Sequence, residues 1–482
     1  MLQQETKNQL GQQFFLAVII VILYIITHLL NPSMQNIQLA VGIFLITELA
    51  NIAFLYWKKR LTWEYLVTTI IGAGIAMRIG YMLYTPFDVR THDLGEVRID
   101  AYGHAAYLLK IINNHSLPET NTVQLYQQPF YYIVAAIVSK GICSILKLST
   151  YTDYLDAAKV VSCYASCGVL LLNKKVCQTF HLKGRGAVIA TSLVAFVPDF
   201  YLISSRLNAD ALICYIMLLA FLITIDWYDD PNWKNTLLLA LVYGIGMMTK
   251  ISMASMALLT ATFFLVRLIR ADAATRKKIV PRLCVFGVIS LPLGLWYSVR
   301  NYYLFGQSLT YVPDIGKDLD IYIGNRSFAT RFLTFSLENY FKTPYAYPWQ
   351  DYNEPIYIIK SALFGEFVYD IEGVIPTLLL FFALILSGLA VIQLIAVARR
   401  KEKEKNDWYV IILIGIMLVS IVTFAIRYPY GCSMDYRYYV ILCVAFGVVL
   451  GRKPAYGFMN TAIPMFLTLM SLGSCLMYLL IQ

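Results

Sequence analysis

Apolar runs separated by short polar breaks fill most of the chain. They lie at 13–30, 37–57, 64–84, 130–147, 156–173, 187–204, 208–226, 236–250, 251–266, 283–298, 373–398, 408–426, 438–450 and 457–480. A helix needs roughly 20 apolar residues to cross the hydrocarbon core of a bilayer, and most of these runs approach that length. The pattern predicts an all-α polytopic membrane protein, a bundle of about 13–14 transmembrane helices with juxtamembrane helices on its outer face. It reads as a single transmembrane domain over 1–482, with two polar intervals, 85–127 and 299–372, as its long outer loops.

Composition agrees. Hydrophobic residues make up 59% of the 482 and charged residues 14%, against about 25% charged in an ordinary soluble domain. The net charge of +10 is not a nucleic-acid signature, because the basic residues lie mostly between runs. Clusters at 58–60, 174–185, 267–282, 399–405 and 452–453 belong in the cytoplasm by the positive-inside rule. That places the N-terminus in the cytoplasm of a plasma-membrane protein and puts 85–127, 299–372 and 427–437 outside. Three runs fall between residues 128 and 210, yet both ends of that stretch are placed outside. Run 130–147, interrupted by Lys140, is therefore expected not to span fully. The nine cysteines include no CxxC pair, which argues against a zinc site or a disulfide framework. The N-terminus lacks a cleavable signal pattern, so the first run is expected to be a retained span.

The densest polar chemistry sits in DVRTHDLGEVRIDAYGHAAYLLK, residues 88–110, which gathers Asp88, His92, Asp93, Glu96, Asp100 and His104. The part beginning at Ile99 has helical spacing and predicts an amphipathic helix along the membrane surface. Simple interfacial anchoring would explain Tyr102, Tyr107, Leu108 and Leu109, but not the acid-rich stretch before them. A carboxylate here could accept a proton from a hydroxyl nucleophile. Asp93, directly after a span and beside His92, is the first candidate, with Glu96 and Asp100 as rivals. His92, His104 and an acid could also bind zinc or manganese, but their spacing matches no specific ligand pattern, so no metal or other cofactor is expected. Next comes LYQQPFYY, where Pro129 holds Gln128 extended and can open a helix; Tyr126 and Gln128 join the site candidates. Asp210 begins an apolar run, where an acid is either functional or favoured by the helix dipole. Lys250, Arg300 and Arg437 fall near the same outer face. They could snorkel to headgroups or bind a phosphate, lysine as a point charge and arginine as a fork.

The order of these motifs resembles that of GT-C glycosyltransferases that use polyprenyl-phosphate sugars. A span leads to HD, then GHAAYLLKI, LP and YQQPFYY, and later SRLNADAL, GMMTKIS, WYSVRNYYLFG and DYRYY. The pattern is similar to the bacterial protein O-mannosyltransferase and aminoarabinose transferase branch, bacterial glycosyltransferase family 39, across most of 64–440. Residues 1–60 look like two additional N-terminal spans, and HD stands where the branch usually has an Asp-Glu pair. The resemblance implies a GT-C-type bundle with an extracytoplasmic active site. It implies a polyprenyl-phosphate sugar as donor and a hydroxyl on a glycan, lipid or protein as acceptor. Asp93 would be the general base, Asp210 a second acid shaping the acceptor site, and Lys250, Arg300 and Arg437 the donor-phosphate cations, with inversion at the anomeric carbon. Two rival readings are a lipid-linked glycan flippase or transporter and a glycan ligase or polymerase. The first expects repeats around a midplane site, and the second fits the arginines better than the acidic motif.

Overall fold

The computed structural model describes residues 2–119, 122–309, 311–313, 316–342, 352–367, 369, 373–400, 404 and 406–481. Residues 345–351 of the YAYPWQDYNEP motif and most of the basic cluster at 399–405 lie outside the described residues. The described residues form helices and turns, with one isolated antiparallel bridge between Tyr322 and Tyr430.

In chain order the helices are α1 (Leu2–Leu30), α2 (Met34–Trp57), α3 (Trp63–Tyr84), α4 (Gly103–Asn114), α5 (Phe130–Leu146) and α6 (Tyr151–Thr179). Then come α7 (Arg185–Phe196), α8 (Asp199–Leu202), α9 (Asp210–Asp229), α10 (Trp233–Thr249), α11 (Ala254–Arg270) and α12 (Ala273–Phe305). The last are α13 (Leu337–Lys342), α14 (Glu354–Phe364), α15 (Val374–Arg399), α16 (Asp407–Arg427), α17 (Ile441–Gly451) and α18 (Met459–Leu480). Every apolar run becomes helix. Among the described residues ten segments are long and apolar enough to cross a membrane: α1, α2, α3, α6, α9, α11 with its preceding turn, α12, α15, α16 and α18. The protein is an all-α polytopic membrane protein. α5 has 17 residues, or about 26 Å at 1.5 Å per residue, short of the roughly 30 Å core. Run 187–204 breaks at Pro198 into α7 and α8.

The chain divides into two compact units. One comprises Met1–Leu29, Pro86–Val169 and Ser205–Asp314; the other comprises Leu30–Thr85, Leu170–Ser204 and Ile315–Gln482.

In the first unit α10 packs along α9 and α12, α11 lies on α9, and α4 lies on α5. α12 opens with Asp272 as N-cap, its carboxylate accepting from the Thr275 N–H at 2.8 Å, and carries Pro281 and Pro292 inside its 33 residues. α4 differs from the amphipathic surface helix expected. Every residue from Gly103 to Leu109 is buried, so its first two turns are enclosed by protein on all sides. His104 and Tyr107 on one face are as deeply buried as Ala105 and Leu108 on the other.

In the second unit α7 and α17 approach through small residues. Gly186 and Ala190 on α7 face Gly447 and Gly451 on α17, and a Cβ on Gly186 would sit 2.3 Å from the Gly451 carbonyl oxygen. Small residues four apart let helix backbones close in where no hydrophobic force separates lipid from protein. α3 packs on α7, and its buried Arg78 donates to the carbonyls of Val194 and Ala195 at 2.6 and 2.9 Å. Pro198 ends α7 and leaves its last carbonyls without helical donors, and Arg78 supplies them. α2 packs on α3 and α18 yet has no fully buried residue.

Candidate functional site

Asp93 lies in the loop that follows α3, with φ of 54°, a left-handed conformation that aspartate tolerates better than most residues. The loop is fixed by its main chain. α4 begins without a side-chain cap, so its first N–H groups need other acceptors. The N–H of His104 donates to the Asp93 carbonyl at 3.0 Å, that of Ala105 to the Leu94 carbonyl at 2.9 Å, and that of Gly103 to the Val123 carbonyl at 3.0 Å. The backbone of the Asp93 loop thus serves as the cap of α4. The approach is close enough to require glycine at two places. Gly95 and Gly103 have φ of 71° and 95°, and Cβ atoms there would lie 1.8 Å from the Tyr102 oxygen and 2.4 Å from the Leu94 oxygen. The Asp93 side chain itself points into the open and has no hydrogen-bond or ion-pair partner among the described residues.

The other candidates of this loop divide. Glu96 pairs with Arg98 at 3.1 Å, both exposed, and Asp100 is exposed. His92 is half-buried. His104 is buried with its Nδ1 2.6 Å from the Tyr132 hydroxyl. Tyr107 stacks on Tyr132 at 3.9 Å, and its hydroxyl donates to the Gln127 carbonyl at 3.0 Å and lies 3.1 Å from that of Tyr297. Burial, then the neighbouring Tyr297, pushes the Tyr107 phenol far above its ordinary range. Gln128 is buried, and Tyr126 meets Tyr311 edge-on at 5.6 Å. His104, Tyr107 and Tyr132 thus pack as one buried cluster, joined to the Asp93 loop through the His104 N–H.

Asp210 is the first residue of α9. The turn before it is held by Ser162, whose hydroxyl donates to the Arg206 carbonyl at 2.6 Å, and by Asn208, whose side-chain oxygen accepts the Asp210 N–H at 3.1 Å. Lys250 ends α10 as its C-cap, and its ammonium is ion-paired with the buried Asp210 carboxylate. Along the chain the two look independent, one an acid at a helix start and the other a cation near the outer face. Arg300 donates to the Pro118 carbonyl at 2.7 Å and lies over the Tyr297 ring at 5.3 Å, so it latches the loop between α4 and α5 onto α12.

In the second unit Arg437 is flanked by acids. Its Nε lies 3.3 Å from Asp435 and its Nη2 lies 4.0 Å from Glu366. The Tyr357 hydroxyl donates to Glu366 at 2.5 Å, and burial followed by the Glu366 charge pushes that phenol well up. α14 starts beside this cluster. Asn353 caps it, accepting the Ile356 N–H at 3.2 Å while its amide donates to the Thr334 carbonyl at 2.6 Å. Glu354 follows, 3% exposed, with neither carboxylate oxygen hydrogen-bonded among the described residues. Burial raises its pKa to about 8, an effect that the nearby Arg331 partly opposes.

Residues 162–296 match the family model described as dolichyl-phosphate-mannose-protein mannosyltransferase. That match supports a membrane glycosyltransferase of the GT-C type. It covers Asp210 and Lys250, and not Asp93, Arg300 or Arg437. No curated protein matches the chain.

Sequence reasoning passed over Arg78, Arg331 and Glu354. An arginine inside run 64–84 was a usable signal, since a charge within a span needs a partner. Arg331 and Glu354 carried none, because both sit in a polar loop where charges are ordinary.

Proposed function

We propose that this glycosyltransferase moves a sugar from a polyprenyl-phosphate donor to a hydroxyl acceptor at the extracytoplasmic face, with Asp93 as general base. One observation carries the reading: an exposed aspartate carboxylate without a partner, on a backbone fixed by α4 and its two glycines. A base must be free to take a proton and must be held where the hydroxyl arrives. Glu96 is committed to Arg98 instead.

In the proposed step the acceptor oxygen attacks the anomeric carbon as Asp93 takes its proton. The bond from the anomeric carbon to the phosphate oxygen breaks, and the electron pair leaves with polyprenyl phosphate. The departing phosphate is already a stable anion and needs no acid. A single displacement inverts the anomeric centre through an oxocarbenium-like transition state, as in inverting glycoside hydrolysis. Lys250 supplies positive charge for the phosphate, and Asp210 holds the ammonium in place. The step needs no metal and no cofactor.

The test is a panel of polyprenyl-phosphate sugars added to the purified full chain in detergent. A donor should raise the melting temperature, and the same donor should support transfer in wild type but not in Asp93→Asn. Stabilisation by none of the panel would sink the proposed donor class.

A further inference from the structure

The polar segment before α13 folds into a pocket that the proposed chemistry does not use. It has a volume of about 310 Å³ and is lined by Lys317, Asp320, Tyr322, Asn325, Arg326 and Tyr352, among others. Its frame is the short pairing of this segment with residues 429–431. The Ile323 N–H donates to the Pro429 carbonyl at 2.9 Å, and the Gly431 N–H donates to the Ile321 carbonyl at 2.8 Å. Beneath it, Ile323, Tyr357 and Met434 are buried together, with Tyr352 packed on them. The pocket is therefore supported from below rather than formed by a loop folding over on itself.

Its chemistry is selective. The volume lies at the small end of ligand sites, which run from about 300 to 1,000 Å³. Such sites are usually lined by apolar groups, but here most of the lining is polar. Lys317, Asp320 and Arg326 are exposed, and none is ion-paired among the described residues. Two cations and one acid leave an excess positive charge. The Arg326 guanidinium lies 4.7 Å from the Tyr352 ring, which orients its fork. A planar fork, an ammonium, an amide and two tyrosine rings suit a hydroxyl-rich ring that carries a carboxylate or phosphate.

We propose that this pocket binds an acidic sugar residue, a uronic acid or a phosphorylated hexose. Resting on the glycosyltransferase reading above, that residue is part of the acceptor, which makes the acceptor an anionic glycan. Lys317 and Arg326 hold the anionic group, Asn325 and Asp320 take ring hydroxyls, and Tyr352 provides a flat face.

The experiment titrates the purified full chain with digalacturonic acid, mannose 6-phosphate, neutral maltose and inorganic phosphate, followed by saturation-transfer magnetic resonance and calorimetry. At least one acidic saccharide should bind more tightly than both maltose and inorganic phosphate. Arg326→Ala should weaken it by about 10- to 100-fold, the loss expected for one charge-assisted hydrogen-bonded contact. Asn325→Trp, which fills the pocket, should abolish binding, and both variants should keep the wild-type melting temperature. Equal binding of maltose or inorganic phosphate, or wild-type affinity in both variants, overturns the proposal. Donor-dependent stabilisation is read on the same samples. Its absence with saccharide binding intact refutes the donor reading alone, and its presence without saccharide binding refutes the pocket alone.

Discussion

The ammonium of Lys250, at the end of α10, pairs with the carboxylate of Asp210, at the start of α9, and their side chains are 18% and 3% exposed. A buried charge without its partner is costly, whereas removal of both can be nearly neutral. Lys250→Met alone, or Asp210→Asn alone, should therefore lose about 3 kcal/mol of stability, the lower end for a broken buried pair because the lysine is part-exposed. The double variant Asp210→Asn with Lys250→Met should recover most of it. Melting curves of the two singles and the double decide the matter. Additive losses would mean that the pair is not coupled.

Asp93→Asn keeps the left-handed backbone accessible and removes the proposed base. Transfer should fall by about 100- to 10,000-fold with an unchanged melting temperature and unchanged donor stabilisation. Glu96→Gln should cost little, because its carboxylate is spent on an exposed pair with Arg98. The reverse ranking of the two variants would move the base to Glu96.

Gly95→Ala and Gly103→Ala should each disable the loop without touching a reactive atom. Positive φ alone costs a non-glycine residue about 1–3 kcal/mol, and the added methyls would collide with backbone oxygens that cannot turn aside. Turnover should drop along with protection of the α4 amides in hydrogen exchange. Normal exchange and normal turnover in both variants would show that α4 does not depend on these contacts.

Glu354 should make stability depend on pH in the direction opposite to an ordinary paired carboxylate. Its value rises from 4.5 to about 8 on folding, so the folded state holds the proton more tightly than the unfolded chain. The contribution is complete below about pH 4.5 and is lost as pH rises to about 8, at about 1.4 kcal/mol per unit of difference. Glu354→Gln should melt above wild type at pH 9 and near it at pH 4.5. A difference that is the same at both pH values would mean that Glu354 is solvated or paired in solution.

Much of this molecule could be read directly from the chain. Each apolar run became helix because a segment in lipid must satisfy its own backbone hydrogen bonds, and that demand is local. The acidic concentration around Asp93 was visible for the same reason, since charges are scarce in such a chain and their position along it is informative. Pairing was not legible. Lys250 and Asp210 are separated by 40 positions, and only the packing of α10 on α9 makes them partners. The enclosure of α4 was also hidden, because its periodicity gave one apolar face and packing buried the rest. Glu354 looked like any loop acid in sequence. Folding took it out of water beside Arg331, and burial in low dielectric is a property of the surroundings rather than of the residue.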